Sequence, residues 1–379
     1  MLSFLAALVQ AAGLLGPARC SAATFDPIVT AGIEAGVYPG AALVVGRRDT
    51  ILFERGYGHL TWSERSAAAD PERTLYDLAS LTKVVATTTA IMLLVDRGQV
   101  ALDTPVATYL PEFRGPGTAA ITVRELLTHQ SGLRPTLPLA RAPSASAALS
   151  EVYAATPIVP PGTRVIYSDL NAILLGAIVA RVSGEPLDRF TAAEVFAPLG
   201  LTRTRWRPDS AREEIAPTGV WHGHPIGGVV NDQNAARLGG VAGHAGVFAS
   251  AGDVARVAQF ILRGGRLPDG RPLVRPETIR LFTTVATPAR GTRGERRALG
   301  WQAVPTGEAV SSAGSRFGPR SIGHTGWTGT SLWIDPDRDL FVVFLTNRAY
   351  APRTARPFTA LHHVRGALAD GAALACDAR

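Results

Sequence analysis

The stretch from Thr74 to Gly98, which holds LYDLASLTKVVATTTAIMLLVDRG, constrains this chain more than any other. Leu81, Val84, Val85, Ile91, Met92, Leu94 and Val95 recur at the i, i+3, i+4 spacing of a helix with one buried face, and Gly98 is a natural stop. Ser80 then falls in the first turn, and Lys83, three residues on, shares its face, so hydroxyl and amine can meet. A serine hydroxyl is a poor nucleophile until a base takes its proton, and a desolvated lysine with a lowered pKa can serve or assist as that base. The helix N-terminus also favours the negative charge that develops there. The S-x-x-K spacing alone is weak, but composition strengthens it. Lys and Arg together number 38, and Lys83 is the sole lysine. Arginine stays protonated in proteins, so a proton-exchanging group could not be written as arginine.

Around this helix the expected architecture is an antiparallel sheet built from both ends of the chain. After a short helix over Phe25–Ala35, strands Ala41–Arg47 and Ile51–Gly58 flank a turn at Arg48-Asp49-Thr50. The next clear strands are Ser331–Asp335 and Leu340–Asn347, joined at Pro336-Asp337, and the LFVVFL run predicts a strand buried on both faces. A helix over Arg356–Leu368 closes the chain. Between these ends the pattern is mainly helical. Thr122 and Glu125 form a capping box that opens a helix stopping at Gly132, and Asn171–Val182 and Ala251–Leu262 are apolar helices. The fold class is therefore α/β (α+β), with the sheet in residues 24–75 and 296–379, flanked by helices, and an inserted mainly helical lobe in 76–295. A length of 379 residues suits two lobes.

Charged residues at 18% and hydrophobic ones at 46% exclude general disorder. The net charge of +7 fits loose association with an anionic cell envelope. The arginines are scattered, and the groups Arg203–Arg207 and Arg290–Arg297 lack interleaved aromatic repeats, so no nucleic-acid partner is expected. Residues 1–23 read as a secretory signal peptide: an apolar stretch, then Pro17 and small residues. Arg19 before Cys20 argues against a lipid anchor. Cleavage after Ala22 or Ala23 would discard Cys20 and leave Cys376 alone, so the expected mature protein is periplasmic or secreted, has no internal disulfide and inserts into no membrane.

Two further stretches carry chemistry. Pro161-Gly162 leads through Tyr167-Ser168-Asp169 into a helix, and the Tyr167 phenol could relay a proton if nearby positive charge lowers its pKa. Gly323-His324-Thr325-Gly326-Trp327-Thr328-Gly329 precedes the C-terminal strands. Backbone N–H groups at such a sheet edge can complete an oxyanion hole with that of Ser80, while His324 and Thr325 offer donors to a substrate carboxylate.

S-x-x-K, Y-S-D and H-T-G, in this order and at these separations, resemble the penicillin-recognising serine hydrolases, nearest the branch of class C β-lactamases, serine DD-peptidases and β-lactamase-like esterases. The resemblance runs from about Gly36 to Arg353 and includes LLTHQSGL, PGT…YSDLNAILLG and GGVAGHAGVFASAGDVARVAQF. It implies a β-lactamase/transpeptidase-like fold, Ser80 as acylated nucleophile, Lys83 as its proton partner and Tyr167 as general base and acid. It also implies an oxyanion hole of the Ser80 and Trp327 N–H groups beside Gly326, and no cofactor. Asp169 stands where the commonest pattern has asparagine, replacing a donor amide by a carboxylate, and Asn171 nearby is no assumed substitute. His324 stands where that pattern has lysine. If it binds a carboxylate as imidazolium, affinity should weaken as pH rises through its titration.

His222, His224, Asp232 and His244 have the residue types of a zinc site, but their spacing matches no ligand pattern and the resemblance implies no metal. The segment Val229–Gly246 is expected instead to line the cleft, with Asp232 and His244 near the site. The resulting expectation is an exported serine acyl hydrolase acting on a small-molecule or peptide substrate, β-lactamase-like or D-alanyl-D-alanine carboxypeptidase-like. A carboxylesterase is the alternative, and a non-catalytic peptide-binding envelope protein the alternative from another class.

Overall fold

The computed structural model describes residues 20–287, 295–305, 311–350 and 358–376. Its main sheet has seven antiparallel strands in the spatial order Ile51–Gly58, Gly40–Gly46, Leu340–Thr346, Ser331–Asp335, Ile322–Thr325, Gln302–Ala303 and Arg296–Arg297. Ala41 faces Thr346 and Val44 faces Val343, so the N-terminal hairpin joins the strands from the far end of the chain. Every residue of the Leu340–Thr346 strand is buried. Phe341, Val343 and Leu345 enter one core with Ile91 and Leu94, while Leu340, Val342 and Phe344 enter another with Phe25, Tyr38 and Leu368. Two covered faces remove the need for polar alternation, as LFVVFL suggested. Truncating Phe344 to alanine would cost about 3–5 kcal/mol.

Helices Ala22–Glu34 and Phe358–Ala375 pack on each other and on one side of this sheet, and Ala251–Leu262 packs against the central strands. The expected strands and the Ala251–Leu262 helix match within a residue. Arg356 lies outside the described residues, and the closing helix continues past Leu368 to Ala375.

Three expectations need correction. The first helix starts at Ala22, and the Ser21 hydroxyl caps it by accepting from the Ala23 N–H at 3.2 Å. Cleavage after Ala22 or Ala23 would cut into that helix. Cys20 is buried and disulfide-bonded to Cys376, 356 residues away, so the expectation of no internal disulfide fails. Small residues after an apolar run look like a cleavage site, yet here they begin a capped helix. Such a bond stabilises a domain by about 2–5 kcal/mol.

The second concerns the capping box, which forms with both halves present, but its helix spans Val123–Leu127 and stops well short of Gly132. His129 adopts φ +56°, a left-handed conformation that ends the helix and turns its ring inward. The third is local. The Thr74–Gly98 stretch is not one α-helix but a tight turn at Ala79–Leu81, a π-helical segment Lys83–Thr88 and an α-helix Thr89–Asp96. π-Helical segments cluster at functional sites.

Candidate active site

Ser80 sits on a strained turn clamped from both sides. Ala79 has φ +46°, uncommon for a residue with a Cβ. The Asp77 carboxylate holds the turn by accepting from the Ala79 N–H at 2.8 Å and the Asn231 N–H at 2.7 Å. Burial pushes the Asp77 pKa up to about 6 against the pull of these two bonds. From the opposite wall, the Thr328 hydroxyl donates to the Asp77 carbonyl at 2.6 Å and the Thr330 hydroxyl to the Leu78 carbonyl at 2.9 Å. Gly326 permits this approach, since a Cβ there would lie 2.4 Å from the Leu78 carbonyl oxygen. The H-T-G stretch and the serine turn are thereby one rigid unit.

Lys83 is 3% exposed, and its ammonium donates to Ser80 Oγ at 2.9 Å, Asp169 Oδ1 at 2.8 Å and the His244 carbonyl at 3.3 Å. Burial lowers its pKa, but Asp169 and Tyr167 outweigh burial and raise it above the ordinary lysine value. The resting lysine is therefore a cation. This corrects the expectation of a desolvated lysine with a lowered pKa: Asp169, which no asparagine could imitate, holds the proton on.

Tyr167 closes the other side. Its ring centroid lies 4.9 Å from Lys83 Nζ, 5.1 Å from Arg297 Cζ and 4.7 Å from the His129 ring. His129 was legible only as part of LLTHQSGL. Its Nδ1 accepts from the Ser168 N–H at 3.2 Å and pairs with Asn171 Nδ2 at 3.1 Å, which fixes where Tyr167 leaves the backbone. Asn171 Oδ1 accepts in turn from Ser131 at 2.6 Å, so Asn171 is a buried support behind the cleft. Burial, then Arg297 and Lys83, push the His129 pKa well below its ordinary value.

The cleft, about 430 Å³, is lined by Ser80, Tyr167, Asp169, Asp232, His324, Thr325, Gly326 and Trp327. Ser80 and Trp327, whose N–H groups form the expected oxyanion hole, stand on its wall together. Trp327 is 64% exposed and stacks on Phe358 at 5.7 Å. Behind it, the buried Arg365 donates to the Thr330 and Gly326 carbonyls at 2.7 and 3.3 Å.

A beta-lactamase family model matches residues 25–365. The chain belongs to the beta-lactamase family. It is 33% identical over 351 residues to an Escherichia coli K12 protein provisionally named a D-alanyl-D-alanine carboxypeptidase, covering 83% of this chain and 80% of that one. It is 31% identical over 363 residues to an N-acetylmuramyl-L-alanine amidase of Bacillus subtilis, covering 86% and 81%. Among solved structures, a penicillin-binding protein homologue from Caulobacter crescentus superposes with TM-score 0.73 at 23% identity over 93% of this chain and 98% of that one. A class C beta-lactamase from Rhodobacter sphaeroides gives 0.69 at 22% identity over 91% and 97%. Both show the shared fold. The expected recognition, fold class and serine-hydrolase assignment all stand.

Within this beta-lactamase-family site, the two departures from the commonest motifs have distinct outcomes. Asp169 joins the hydrogen bonds of Ser80 through Lys83. His324 is 3% exposed, and its Nδ1 bonds the Thr325 carbonyl at 2.9 Å, which makes that nitrogen the N–H donor. Burial, then Arg297 and Lys83, hold its pKa well below the ordinary value. His324 is thus neutral and does not supply the imidazolium charge on which carboxylate binding at this position would depend, and its buried Nε2 has no partner among the described residues.

Asp169, Asp232 and His244 offer ligand atoms within 4.8 Å of one another, while His222 and His224 stand apart on an exposed hairpin. His244 Nε2 already bonds Asp232 Oδ1 at 3.0 Å, and the cation beside Asp169 is the Lys83 ammonium. Burial raises the Asp232 pKa, but the His244 bond and charge prevail and hold it at about 2.

Proposed function

We propose that this chain is an exported hydrolase that opens amide bonds of peptidoglycan peptides through an acyl-enzyme on Ser80, in the manner of a D-alanyl-D-alanine carboxypeptidase. The observation that carries the reading is the buried Lys83 ammonium bridging Ser80 Oγ at 2.9 Å and Asp169 Oδ1 at 2.8 Å. As Ser80 attacks the carbonyl, Lys83 passes one proton to Asp169 and takes the serine proton, so a cationic lysine still serves the transfer. Tyr167, on the open side, gives its phenol proton to the leaving amine and is reprotonated through Lys83 by the proton that Asp169 took. The Ser80 and Trp327 N–H groups receive the oxyanion, and water then releases the acid.

Relatives named for amide cleavage in peptidoglycan support amides over esters. The neutral His324 and acceptor-only Asp169 disfavour efficient β-lactam hydrolysis. Export is supported by the apolar N-terminal run and by the disulfide, which persists in oxidising compartments, with processing ahead of Cys20.

The test is intact mass after brief exposure to benzylpenicillin, beside release of D-alanine from a D-alanyl-D-alanine peptide. A long-lived adduct on the native protein, its absence in Ser80→Ala and D-alanine release are expected. Rapid penicillin hydrolysis without an adduct would make it a β-lactamase, and ester turnover alone a carboxylesterase. Wall-peptide binding unchanged in Ser80→Ala, without turnover, would make it a binding protein.

A further inference from the structure

Asp77 stands three residues ahead of the nucleophile without lining the cleft, and it is 1% exposed. Its two oxygens serve different partners. Oδ1 accepts from the Ala79 N–H at 2.8 Å, and Oδ2 accepts from the Asn231 N–H at 2.7 Å. The first bond fixes the residue directly before Ser80 in its left-handed conformation, φ +46°. The second fixes the residue directly before Asp232. Asp232 Oδ1 meets His244 Nε2 at 3.0 Å, and the His244 carbonyl accepts from Lys83 at 3.3 Å. One arm of the carboxylate therefore ends on Ser80, and the other reaches Lys83 through Asp232 and His244.

An ionised carboxylate accepts at both oxygens, whereas a protonated one turns one of them into a donor facing an N–H. Both arms are closed while Asp77 is an anion, and one opens when it is not. The geometry points to Asp77 as a positioning residue, a clasp that joins the serine turn to the lysine side of the site and, on protonation, loosens the Ser80–Lys83 pair. The inference rests on the acyl-enzyme reading and adds an acid-side control to it. Burial, joined by the like charge of Asp232, places the window at about pH 6. Asp232 is held at about 2 and stays ionised across that window. The other contacts of Asp77, Phe248 on the paired strand, the Ala79 turn and the Thr328 hydroxyl, bring no charge. Acid then acts on fold and site in opposite senses. The pKa of Asp77 is raised on folding, so its charge costs stability at neutral pH, and that cost is relieved as pH falls through the folded value towards the ordinary carboxylate value.

The test is hydrogen exchange of the native protein at about pH 7.5 and about pH 5, corrected for the intrinsic pH dependence, beside the rate at which a fluorophosphonate labels Ser80. Protection of peptides covering Ala79–Lys83 and Asn231–His244 is expected to fall by about tenfold or more at the lower pH. Labelling is expected to slow by about 10- to 100-fold, the worth of a hydrogen bond to a charged group, along a limb with its midpoint at about 6. Asp77→Asn carries no charge at any pH. It is expected to show low protection and slow labelling at both pH values, with a Tm at neutral pH no lower than the native one. Unchanged protection of both segments in the native protein would overturn the proposal, whether or not the variant folds. So would an acidic limb that persists in Asp77→Asn, or native labelling by that variant at neutral pH. A lower Tm in the variant would reduce Asp77 to a structural support. The exchange measurement needs no turnover, and D-alanine release, followed separately at neutral pH, tests the hydrolase reading, so either can fail alone.

Discussion

Lys83 and Arg297 are both buried cations in one cleft, each beside a carboxylate, and they differ in how their donors are used. Lys83 has three N–H groups and three acceptors, one of them the nucleophile. Arg297 has five N–H groups and, among the described residues, one side-chain hydrogen-bond partner, Glu295. A cation with every donor engaged is fixed machinery, and replacing it disturbs a closed network. One with donors left over is held less completely, and replacing it disturbs fewer bonds.

The contrast can be broken most severely at the lysine. Lys83→Arg is expected to be nearly as damaging as Lys83→Ala, each lowering the acylation rate by about 10³-fold or more, because a guanidinium neither fits three converging acceptors nor gives up a proton. Stopped-flow acylation rates near the native value in Lys83→Arg would erase the distinction. Next comes Asp169→Asn. It leaves burial opposed only by Tyr167, so the Lys83 pKa falls and the ionisation seen in the acylation pH profile moves to lower pH. Loss of the partner of a buried cation also costs about 3 kcal/mol, read as a lower Tm. The sign follows from linkage: the raised Lys83 pKa gives stability that is present below the ordinary lysine value and lost as pH rises through the folded value.

The smallest effect is expected at His324. Its depressed pKa leaves it neutral across the working range, so affinity for a carboxylate-bearing peptide should stay flat from about pH 5 to about pH 8. A decline of affinity over that range, abolished in His324→Gln, would show a charged histidine in the cleft and blur the comparison.

The sheet was legible because its signals are local: a hairpin turn, a doubly buried apolar run and a Gly-stopped helix each declare themselves within ten or so residues. Ser80, Lys83 and Tyr167 were legible because Lys83 is the sole lysine and because the three motifs together, though weak one by one, are specific for the family. His129 and Arg297 were not, for opposite reasons. His129 sits inside what reads as a helix, and its left-handed backbone is set by Ser168 and Asn171, which lie far along the chain. Arg297 is one arginine in a chain that uses arginine for nearly all its positive charge, so composition hides it. The Lys83 pKa was misjudged because burial and ion pairing push in opposite directions, and sequence reveals burial more readily than the partner. Cys20 was set aside because hydropathy could not show that Ser21 begins a helix.

The clamp on the serine turn has a consequence in time. Thr328 and Thr330 grip the backbone ahead of Ser80 from 251 and 252 residues downstream, and the Gly40–Gly46 strand finds its inner neighbour only at Leu340–Thr346. Contacts of such long range form late, after local helices and hairpins are in place. A partly synthesised or half-folded chain carries the Ser80 hydroxyl without the turn that aims it. Reactivity therefore arrives with the last strands, and the nascent chain is chemically quiet until it is nearly whole.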